Sequence, residues 1–359
     1  MNLERSAALA GSPGADLRDR IEARVNQGLL GHWYVIAKSA DVAPEGILAV
    51  KVLGRDLVLW RSADGELHCV EDRCPHRGAR LSHGSVSDKG ISCRYHGVTV
   101  TGAGVIAEVP ALGKCALQGR AAVQSYALRE ISDGVFAYFP SADHPQPRDF
   151  PPPAEITRDA AFLCTGVWEC NYRYALDNLA DPMHGIYLHA DSFTLAYGAR
   201  QDTVEVEQTP HGFIVRRVAQ QGVNFDWVEI VAQPPLFHAR VVIPYPKAGG
   251  PGPPMTVICF VTPIDESSCR IFFWRTRKVD GLARETWRFL FRTTFEARHW
   301  TVLEQDRQML AAIHPDARTR EMLYQHDAGV VRLRRYLAQE ARRQVEAEEQ
   351  ATARAEVTS

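Results

Sequence analysis

No apolar run in the 359 residues is long enough to cross a bilayer. The N-terminal stretch MNLERSAALAGSPGADLRDR also lacks the apolar core of a secretion signal, so we expect a cytoplasmic protein without a membrane partner. Strong charge is absent too, since a net charge of −2 gives no reason to expect a nucleic-acid partner. With 45 % apolar residues, the chain can still bury a large core in one large domain or two.

Cysteine is sparse. The eight cysteines are spread over a long chain without a secretion signal, which argues against a disulfide framework. Most are expected to be buried thiols that behave as small apolar side chains. Two lie in motifs of another kind: residues 74–78 read CPHRG and residues 93–97 read CRYHG, so each stretch joins a cysteine to a histidine.

Two thiolates and two imidazoles on paired loops can hold a metal. Zinc is one candidate, because two cysteines and two histidines suit a tetrahedral site. Zinc modules, however, more often pair cysteine with cysteine in one loop and histidine with histidine in the other. One cysteine and one histidine per loop suits a 2Fe–2S cluster in which two cysteines hold one iron and two histidines the other.

CPHRG and CRYHG resemble the two cluster-binding loops of Rieske proteins. The resemblance implies two cysteines on one iron and two histidines on the other, namely Cys74, Cys93, His76 and His96. Neither loop has the additional cysteine of respiratory Rieske proteins, so both look more like the loops of oxygenases and Rieske ferredoxins. Residues 46–70 contain β-rich runs with a hairpin turn at Asp64-Gly65, which favours a small antiparallel domain around the loops.

Residues 102–107, GAGVIA, match the GxGxxA pattern of dinucleotide-binding folds. Such a fold needs a helix to follow, whereas Glu108-Val109-Pro110 predicts a turn and another extended segment. We interpret the pattern as a hairpin turn. Electrons from NAD(P)H are therefore expected to arrive through a partner protein, a ferredoxin, a flavin reductase or both.

The second half of the chain contains DNLADPMHGIYLH at residues 177–189. A helix that begins near Asn171 should be interrupted at Asp181-Pro182, because proline lacks a backbone N–H. His184 and His189 are five residues apart, which is about 140° on an ideal helix and not one face. A break or bulge would let them converge on a metal, and two surface histidines on an ordinary helix are the alternative.

A non-haem iron centre usually adds one carboxylate to two histidines. Residues 295–310, FEARHWTVLEQDRQML, offer Glu304 and Asp306. On a helix, Asp306 has apolar neighbours three and four residues away, whereas Glu304 has a mixed face. A buried carboxylate is costly unless it is paired or metal-bound, so Asp306 is the predicted ligand. The alternative is an ion pair with a buried arginine, for which the candidates are Arg173, Arg292 and Arg298.

With both motifs, the chain resembles the terminal component of Rieske non-haem iron oxygenases from about residue 28 to 335. The segment 168–192 and GHWYVIAKS (31–39) are similar to the carbazole-dioxygenase-like branch. The resemblance implies mononuclear iron on His184, His189 and Asp306, with Asn178 nearby. It also implies a homotrimer in which Asp181 links an iron histidine to the residue corresponding to His96 of a neighbouring subunit. The alternative for Asp181 is a helix cap before Pro182, and the two roles can coexist.

The resulting expectation is an α+β fold. It has an N-terminal antiparallel β Rieske domain and a C-terminal helix-grip-like domain with a curved antiparallel sheet and iron-binding helices. The predicted order is a helical extension (1–27), the Rieske 2Fe–2S domain (28–143), a proline-rich linker (144–155), the catalytic mononuclear iron domain (156–335) and a charged C-terminal helix or tail (336–359). Strands are expected at residues 203–208, 212–219, 227–233, 239–245, 255–264 and 269–276.

The expected function is O2-dependent hydroxylation or dihydroxylation of an aromatic or heteroaromatic compound. Removal of an O- or N-methyl group and simple electron transfer without oxygen chemistry are the alternatives. The substrate pocket is expected within residues 160–320. Three arginines are candidates for a substrate carboxylate, Arg216, Arg217 and Arg240, although such residues more often lie on the solvated face of a strand. Five aromatic residues are candidates for the pocket wall, with core packing as the default alternative: Trp168, Phe225, Trp227, Phe237 and Trp274.

Overall fold

A computed structural model describes residues 16–192, 194–244 and 252–358. Residues 1–15 of the predicted helical extension, and the ends of the predicted strand 239–245 and of the C-terminal tail, at residues 245 and 359, lie outside the described residues. The rest divides into two compact units, one of Trp33–Phe139 and one of the described residues up to His32 and from Pro140 onward. Within the described ranges, no helix combines the length and apolar character that a bilayer crossing requires.

Short strands build the unit Trp33–Phe139, in sheets ordered β1-β10-β9, β2-β3-β4 and β5-β6-β7-β8. Their bounds are β1 (His32–Lys38), β2 (Ile47–Val52), β3 (Arg55–Arg61), β4 (Leu67–Glu71), β5 (Ser85–Ser87), β6 (Gly90–Ser92), β7 (Thr99–Val100), β8 (Ile106–Glu108), β9 (Leu128–Ile131) and β10 (Gly134–Phe139). Two predicted hairpins are confirmed. Strand β3 pairs antiparallel with β4 across Asp64-Gly65, and β7 pairs antiparallel with β8 across Gly104, which has a φ of 77°.

The second unit combines helices with one large sheet. Its helices are α1 (Leu17–Gln27), α2 (Ala154–Arg158), α3 (Tyr172–Leu179), α4 (Gly185–Leu188), α5 (Gly281–Leu290), α6 (Glu296–Ala311), α7 (Ala317–Arg320) and α8 (Ala328–Thr358), with a π-helical turn at Phe291–Phe295 between α5 and α6. Its strands are β11 (Ala160–Trp168), β12 (Val204–Thr209), β13 (Gly212–Arg217), β14 (Trp227–Val231), β15 (His238–Ile243), β16 (Met255–Pro263) and β17 (Cys269–Arg277).

All neighbouring strands of the seven-stranded sheet are antiparallel, in the order β11-β17-β16-β15-β14-β13-β12. Each of the six predicted strands is present, with ends shifted by one or two residues. Strand β11 was not among them and forms one edge. The α+β class with separate N-terminal sheets and a large C-terminal antiparallel sheet is therefore confirmed.

One face of the large sheet forms the core that positions the second candidate site. Alternate residues of β17, Cys269, Ile271 and Phe273, pack there with Leu176 of α3 and Leu303 of α6. Burial of each large apolar side chain stabilises the fold by about 1.5–3 kcal/mol. Helices α3 and α6, more than a hundred residues apart in sequence, are thereby held against the same sheet face.

Candidate metal centres

The two CxxxG stretches of the first unit fold into loops of the same local design. The N–H of Cys74 donates to the carbonyl of Ala79 at 2.7 Å, and the N–H of Gly78 donates back to Cys74 at 2.9 Å. The second loop repeats both bonds, from Cys93 to Val98 at 2.9 Å and from Gly97 to Cys93 at 2.8 Å. Each loop thus presents its cysteine and histidine in a similar way.

Each loop requires glycine at the position four residues after its cysteine. Gly78 and Gly97 have φ values of 75° and 70°, in the left-handed region that side chains disfavour. A Cβ on Gly97 would also lie 2.9 Å from Cγ of Pro110. Any other residue at position 97 would therefore strain the loop and crowd its neighbour.

The four predicted cluster ligands differ in exposure, with the cysteines buried and the histidines at the surface. Cys74 and Cys93 are each 3 % exposed, while His76 and His96 are exposed, with ring centroids 4.6 Å apart. Burial raises the pKa of the Cys74 thiol, and the adjacent Cys93 thiol raises it further. Two neighbouring buried thiols ionise together only beside a cation, which fits a metal cluster.

The quartet does not converge on one point. Among the described residues, the group whose ligand atoms all lie within 4.8 Å of one another is His184, His189 and Asp306. Four tetrahedral zinc ligands would lie closer together than that. The donors of the first unit, with thiols buried and imidazoles outside, fit a two-iron cluster better than a single zinc ion.

The interruption predicted at Asp181-Pro182 is present. The side chain of Asn171 caps the start of α3 by accepting the N–H of Arg173 at 3.1 Å, and α3 ends at Leu179. After a turn through Pro182, the four-residue helix α4 lies between the two histidines, with His184 before it and His189 after it. Their ring centroids are 5.3 Å apart, so the break brings together two residues that one straight helix would separate.

Helix α6 brings the carboxylate. Asp306 is 6 % exposed, and its Oδ1 lies 3.3 Å from Nε2 of His189 and 3.7 Å from Nε2 of His184. Glu304 is exposed and pairs with Arg307 at 2.6 Å, as its mixed face predicted. Within the described part of the chain, no arginine pairs with Asp306. Two imidazoles and one carboxylate that converge in this way are the donor set of a non-haem iron site.

The other ring nitrogen of each histidine is held by an oxygen. Nδ1 of His184 lies 2.6 Å from the main-chain carbonyl of Asp181, and Nδ1 of His189 lies 2.9 Å from Oε1 of Gln305. Because these oxygens only accept, each Nδ1 carries the proton and each Nε2 keeps its lone pair. The lone pairs point toward the carboxylate side of the site, ready for a metal.

Asp181 contacts His184 differently from the expected carboxylate–imidazole bond. Its carboxylate Oδ1 accepts the N–H of Met183 at 2.7 Å, whereas its carbonyl accepts the imidazole N–H. The carboxylate therefore caps the turn and the backbone orients the ligand. Asn178 donates from Nδ2 to Oδ1 of Asp306 at 3.2 Å, so the amide predicted to lie near iron is next to the carboxylate.

Burial lowers the pKa of His189, but the bond and charge of Asp306 outweigh it and leave that pKa above its ordinary value of 6.5. The pair therefore attracts a positive charge to the point between the three side chains. A divalent metal ion meets the same demand and is held by all three donors at once.

Two family models match the chain in tandem. The Rieske [2Fe-2S] domain matches residues 32–127, which contain both loops, and the vanillate O-demethylase oxygenase C-terminal domain matches residues 168–343, which contain both histidines and Asp306.

The chain belongs to the Rieske-type oxygenases. That family implies a 2Fe–2S cluster and a non-haem iron, and the two donor sets of this Rieske-type oxygenase fit them. The family that the motifs suggested is confirmed.

Relatives of this oxygenase carry out different reactions. The terminal oxygenase component of carbazole 1,9a-dioxygenase from Metapseudomonas resinovorans is 32 % identical over 46 % of this chain and 44 % of the relative. The oxygenase subunit of 5,5'-dehydrodivanillate O-demethylase from Sphingobium sp. is 25 % identical over 57 % of this chain and 52 % of the relative. The chain thus spans about half the length of these curated relatives.

A solved structure shares the fold over nearly the whole chain. It is a carbazole-bound oxygenase variant in a ferredoxin complex of carbazole 1,9a-dioxygenase, with a TM-score of 0.70, 22 % identity, and coverage of 95 % of this chain and 98 % of that one. At this identity the likeness concerns the fold, while the carbazole relative is consistent with the predicted carbazole-like branch.

A cavity of about 100 Å³ adjoins the mononuclear site. Its wall is mostly apolar and includes Phe225, Val257 and Phe273 beside the three ligands. Of the five aromatic residues predicted for the pocket, Phe225 is the one among its described lining residues. Phe273, from the same strand as the candidate Trp274, takes the place next to the site.

The three arginines predicted for a substrate carboxylate are engaged elsewhere. Arg216 pairs with Glu207, Arg217 with Asp202 at 3.1 Å, and Arg240 with Glu155 at 2.8 Å. None of the three is among the residues that line the cavity. The arginine in the wall is Arg275 of β17.

Sequence reasoning missed Gln305 and Arg275. Gln305 lies inside the EQD triplet that contains Asp306. Its position next to a predicted ligand is the one signal that could have identified it. Arg275 lies in the run CRIFFWRT, whose apolar residues occupy both faces of the strand and so give no sign of which face the arginine takes.

Proposed function

We propose that this chain is the terminal oxygenase of a multicomponent Rieske system that hydroxylates a small aromatic compound with O2. The observation that carries the proposal is the convergence of His184, His189 and Asp306 on one point beside an apolar cavity. The tandem match of a Rieske domain and an oxygenase domain supports it.

The residues divide the work. Cys74, Cys93, His76 and His96 would hold the 2Fe–2S cluster, and His184, His189 and Asp306 would hold Fe(II). When bound, the cluster supplies one electron and the ferrous iron activates oxygen. Asn178 fixes the carboxylate, Gln305 fixes His189, and the apolar wall excludes water from the reacting atoms.

Hydroxylation of one C–H bond by this route consumes O2, two electrons and two protons, and yields C–OH and water. Dihydroxylation places both oxygen atoms on the ring with the same two electrons and two protons. The electrons originate from NAD(P)H and reach the chain through a ferredoxin, a flavin reductase or both. The ferredoxin complex of the similar solved oxygenase supports such a partner.

The proposed assembly is a homotrimer. In it, the carboxylate of Asp181 reaches the His96 imidazole of a neighbouring subunit while its carbonyl holds His184. Oδ1 of Asp181 accepts the N–H of Met183, so the second carboxylate oxygen is left to accept a hydrogen bond from the neighbouring subunit.

O-demethylation is the second candidate, and one observation favours it. The C-terminal half matches the vanillate O-demethylase oxygenase C-terminal domain over residues 168–343. Hydroxylation of a methoxy carbon consumes the same O2, two electrons and two protons, and its product breaks down to a phenol and formaldehyde. The cavity of about 100 Å³ is smaller than the cavity of about 150 Å³ that is known to take up benzene, so it favours a single ring over a fused-ring compound.

Single turnover of the reduced, iron-loaded protein with 18O2 tests the proposal. The panel would contain fused heteroaromatics, aromatic acids and methoxy- or methylamino-arenes, with products identified by mass spectrometry. Two labelled atoms in one ring identify a dioxygenase, and one atom or formaldehyde identifies a monooxygenase. Oxidation of the cluster without a labelled product from any compound would contradict an oxygenase and favour a simple electron carrier.

A further inference from the structure

Arg275 is a buried charge in the wall of the cavity beside the candidate iron ligands. The residue is 3 % exposed and lies among the cavity-lining residues with Asp306 and His184. On the sheet it pairs with Val257 of β16 on one side and Phe162 of β11 on the other, so both lateral neighbours are apolar. Neither strand neighbour can therefore satisfy its guanidinium.

The guanidinium also has an unmatched donor. Nη1 of Arg275 is buried and has no hydrogen-bond partner among the described residues. Across the same residues, no carboxylate lies within 4 Å of this side chain, and Asp306 is engaged by Asn178, His184 and His189.

Two other buried arginines of the same sheet have a partner for the guanidinium, although Nη1 of Arg217, like that of Arg275, makes no hydrogen bond among the described residues. Arg277, two residues further along β17, donates from Nε to the carbonyl of Pro253 at 2.9 Å and lies over the ring of Trp287. Arg217 of β13 pairs with Asp202 at 3.1 Å. A buried guanidinium without a partner costs several kcal/mol of stability, so its presence at a cavity indicates that a ligand provides the missing anion.

We propose that Arg275 binds the carboxylate of a single-ring aromatic acid and thereby orients the ring toward the iron ligands. The proposal rests on the proposed function and adds the substrate class. The planar fork of arginine matches a carboxylate with two parallel hydrogen bonds. The cavity volume of about 100 Å³ favours one ring over a fused-ring acid.

Charge in the cavity points the same way. With a divalent iron bound, the two charges of the metal and the one of Arg275 exceed the single negative charge of Asp306. His299 lines the same cavity, and burial, followed by the charge of Arg275, holds the pKa of His299 well below its ordinary value. His299 is thus neutral at pH 7.5, which leaves Arg275 as the cation that faces the substrate there.

Equilibrium binding to the anaerobic, reduced holoenzyme at pH 7.5 tests the assignment by calorimetry. The probes are benzoate, its neutral isostere nitrobenzene, and benzenesulfonate. We expect benzoate to bind about 100-fold more tightly than nitrobenzene, since hydrogen bonds to charged groups contribute about 1.5–3 kcal/mol. Equal affinity for both would overturn the proposal, and tighter binding of benzenesulfonate would replace the carboxylate by a sulfonate.

Arg275→Met removes the charge at similar volume, and Arg275→Lys keeps it without the fork. We expect benzoate affinity to fall about 100-fold in the first variant and about tenfold in the second, with nitrobenzene affinity unchanged in both. The matched control is Arg240→Gln, on the same sheet but outside the cavity, which should bind benzoate as the wild type does. Loss of benzoate affinity in the control, or none in Arg275→Met, would contradict the assignment.

Thermal unfolding separates ligand binding from a structural role. Arg275→Met should leave the Tm unchanged or raise it, because it removes an unsatisfied charge. Arg217→Met, which leaves Asp202 buried without its partner, should lower the Tm by about 5–10 °C. A similar fall in Arg275→Met would assign that residue to the fold.

The outcome also distinguishes this inference from the proposed function. If neutral arenes are oxidised with 18O2 but benzoate is neither bound nor oxidised, the oxygenase proposal stands and the aromatic-acid proposal fails. If benzoate binds through Arg275 but no compound is oxidised, Arg275 is a carboxylate-binding residue and the oxygenase proposal fails.

Discussion

The two candidate metal centres are built in opposite ways. In the cluster centre, four donors come from two short loops nineteen residues apart at their cysteines, Cys74 and Cys93, and the histidines are exposed. In the mononuclear centre, the donors come from a broken helix and from a helix more than a hundred residues later, and His189 and Asp306 are buried. Local hydrogen bonds define the first centre, whereas packing of α3 and α6 on one sheet face defines the second.

The difference has a physical consequence. A loop whose backbone closes on itself keeps its donors in place with little help from the rest of the unit. The mononuclear donors are in place only while the helices stay packed on the sheet. The first centre should therefore tolerate changes elsewhere in the chain better than the second.

Asp306→Ala is expected to have the largest effect. Because it removes the one carboxylate among the three converging donors, turnover should fall by at least about 1000-fold and iron per chain from three to two. The cluster absorbance should remain. Iron analysis and visible spectra check this, with Glu304→Gln on the exposed face of the same helix as the matched control. Loss of the cluster spectrum in Asp306→Ala would contradict the independence of the two centres.

Asp181→Asn probes the link between the centres. The amide keeps an oxygen for the N–H of Met183, so the turn and both metal contents should persist. Loss of the carboxylate charge should slow electron transfer from cluster to iron by about tenfold or more, as measured by rapid-mixing absorbance. The exposed Asp191 supplies the control variant Asp191→Asn. Cluster oxidation at the wild-type rate in Asp181→Asn would remove the bridging role.

Gln305→Leu tests how far the mononuclear centre depends on residues that hold its ligands. Without the bond to Nδ1, His189 loses its fixed orientation, and iron affinity should fall about 10–100-fold. Competition with a chelator measures this directly. Gln308→Leu, whose side chain bonds to Glu304 on the solvent side, should leave iron affinity unchanged. Equal losses in both variants would show that helix α6 itself is disturbed.

A lower pH should reduce the free energy of unfolding of the unit that contains the buried His238, and this is the smallest of the predicted effects. Burial lowers the pKa of His238 to about 4, from 6.5 in the unfolded chain; the charge of Glu155 opposes this shift and that of Arg240 adds to it. The unfolded state therefore takes up a proton first, and stability is lost as the pH falls from about 6.5 toward 4. At pH 5.5 the loss is about 1.4 kcal/mol from this one group. Urea unfolding at pH 7.5 and 5.5 measures it, and His238→Leu should reduce the pH dependence by that amount.

The sequence allowed prediction where chemistry and local geometry coincide. The Cys-x-His and Cys-x-x-His spacings, the Asp64-Gly65 and Gly104 turns and the break at Pro182 each act within a few residues. Asp306 was predicted because a carboxylate in an apolar helix stripe is costly, and that argument needs only the helical period. The six strands follow from β-rich runs between turn signals.

The parts that failed depend on tertiary contacts. The sequence offered a capping role for Asp181, but no spacing indicates that its main-chain carbonyl would hold His184. Arg216, Arg217 and Arg240 are absent from the described cavity wall, because each is engaged by a carboxylate elsewhere on the sheet or its surroundings. Arg275 lies in a strand that is buried on both faces, where the alternation that reveals a face is absent.

The two histidines of the candidate iron site also differ in whether a substitution can remove the group that orients them. His184 is oriented by a main-chain carbonyl, which every residue at position 181 would provide, so no point substitution can delete that acceptor. His189 is oriented by the side chain of Gln305, which most substitutions at that position would abolish. A library of single substitutions should therefore find the His189 side of the centre fragile at its supporting residue, and the His184 side vulnerable chiefly through Pro182 and the shape of the turn.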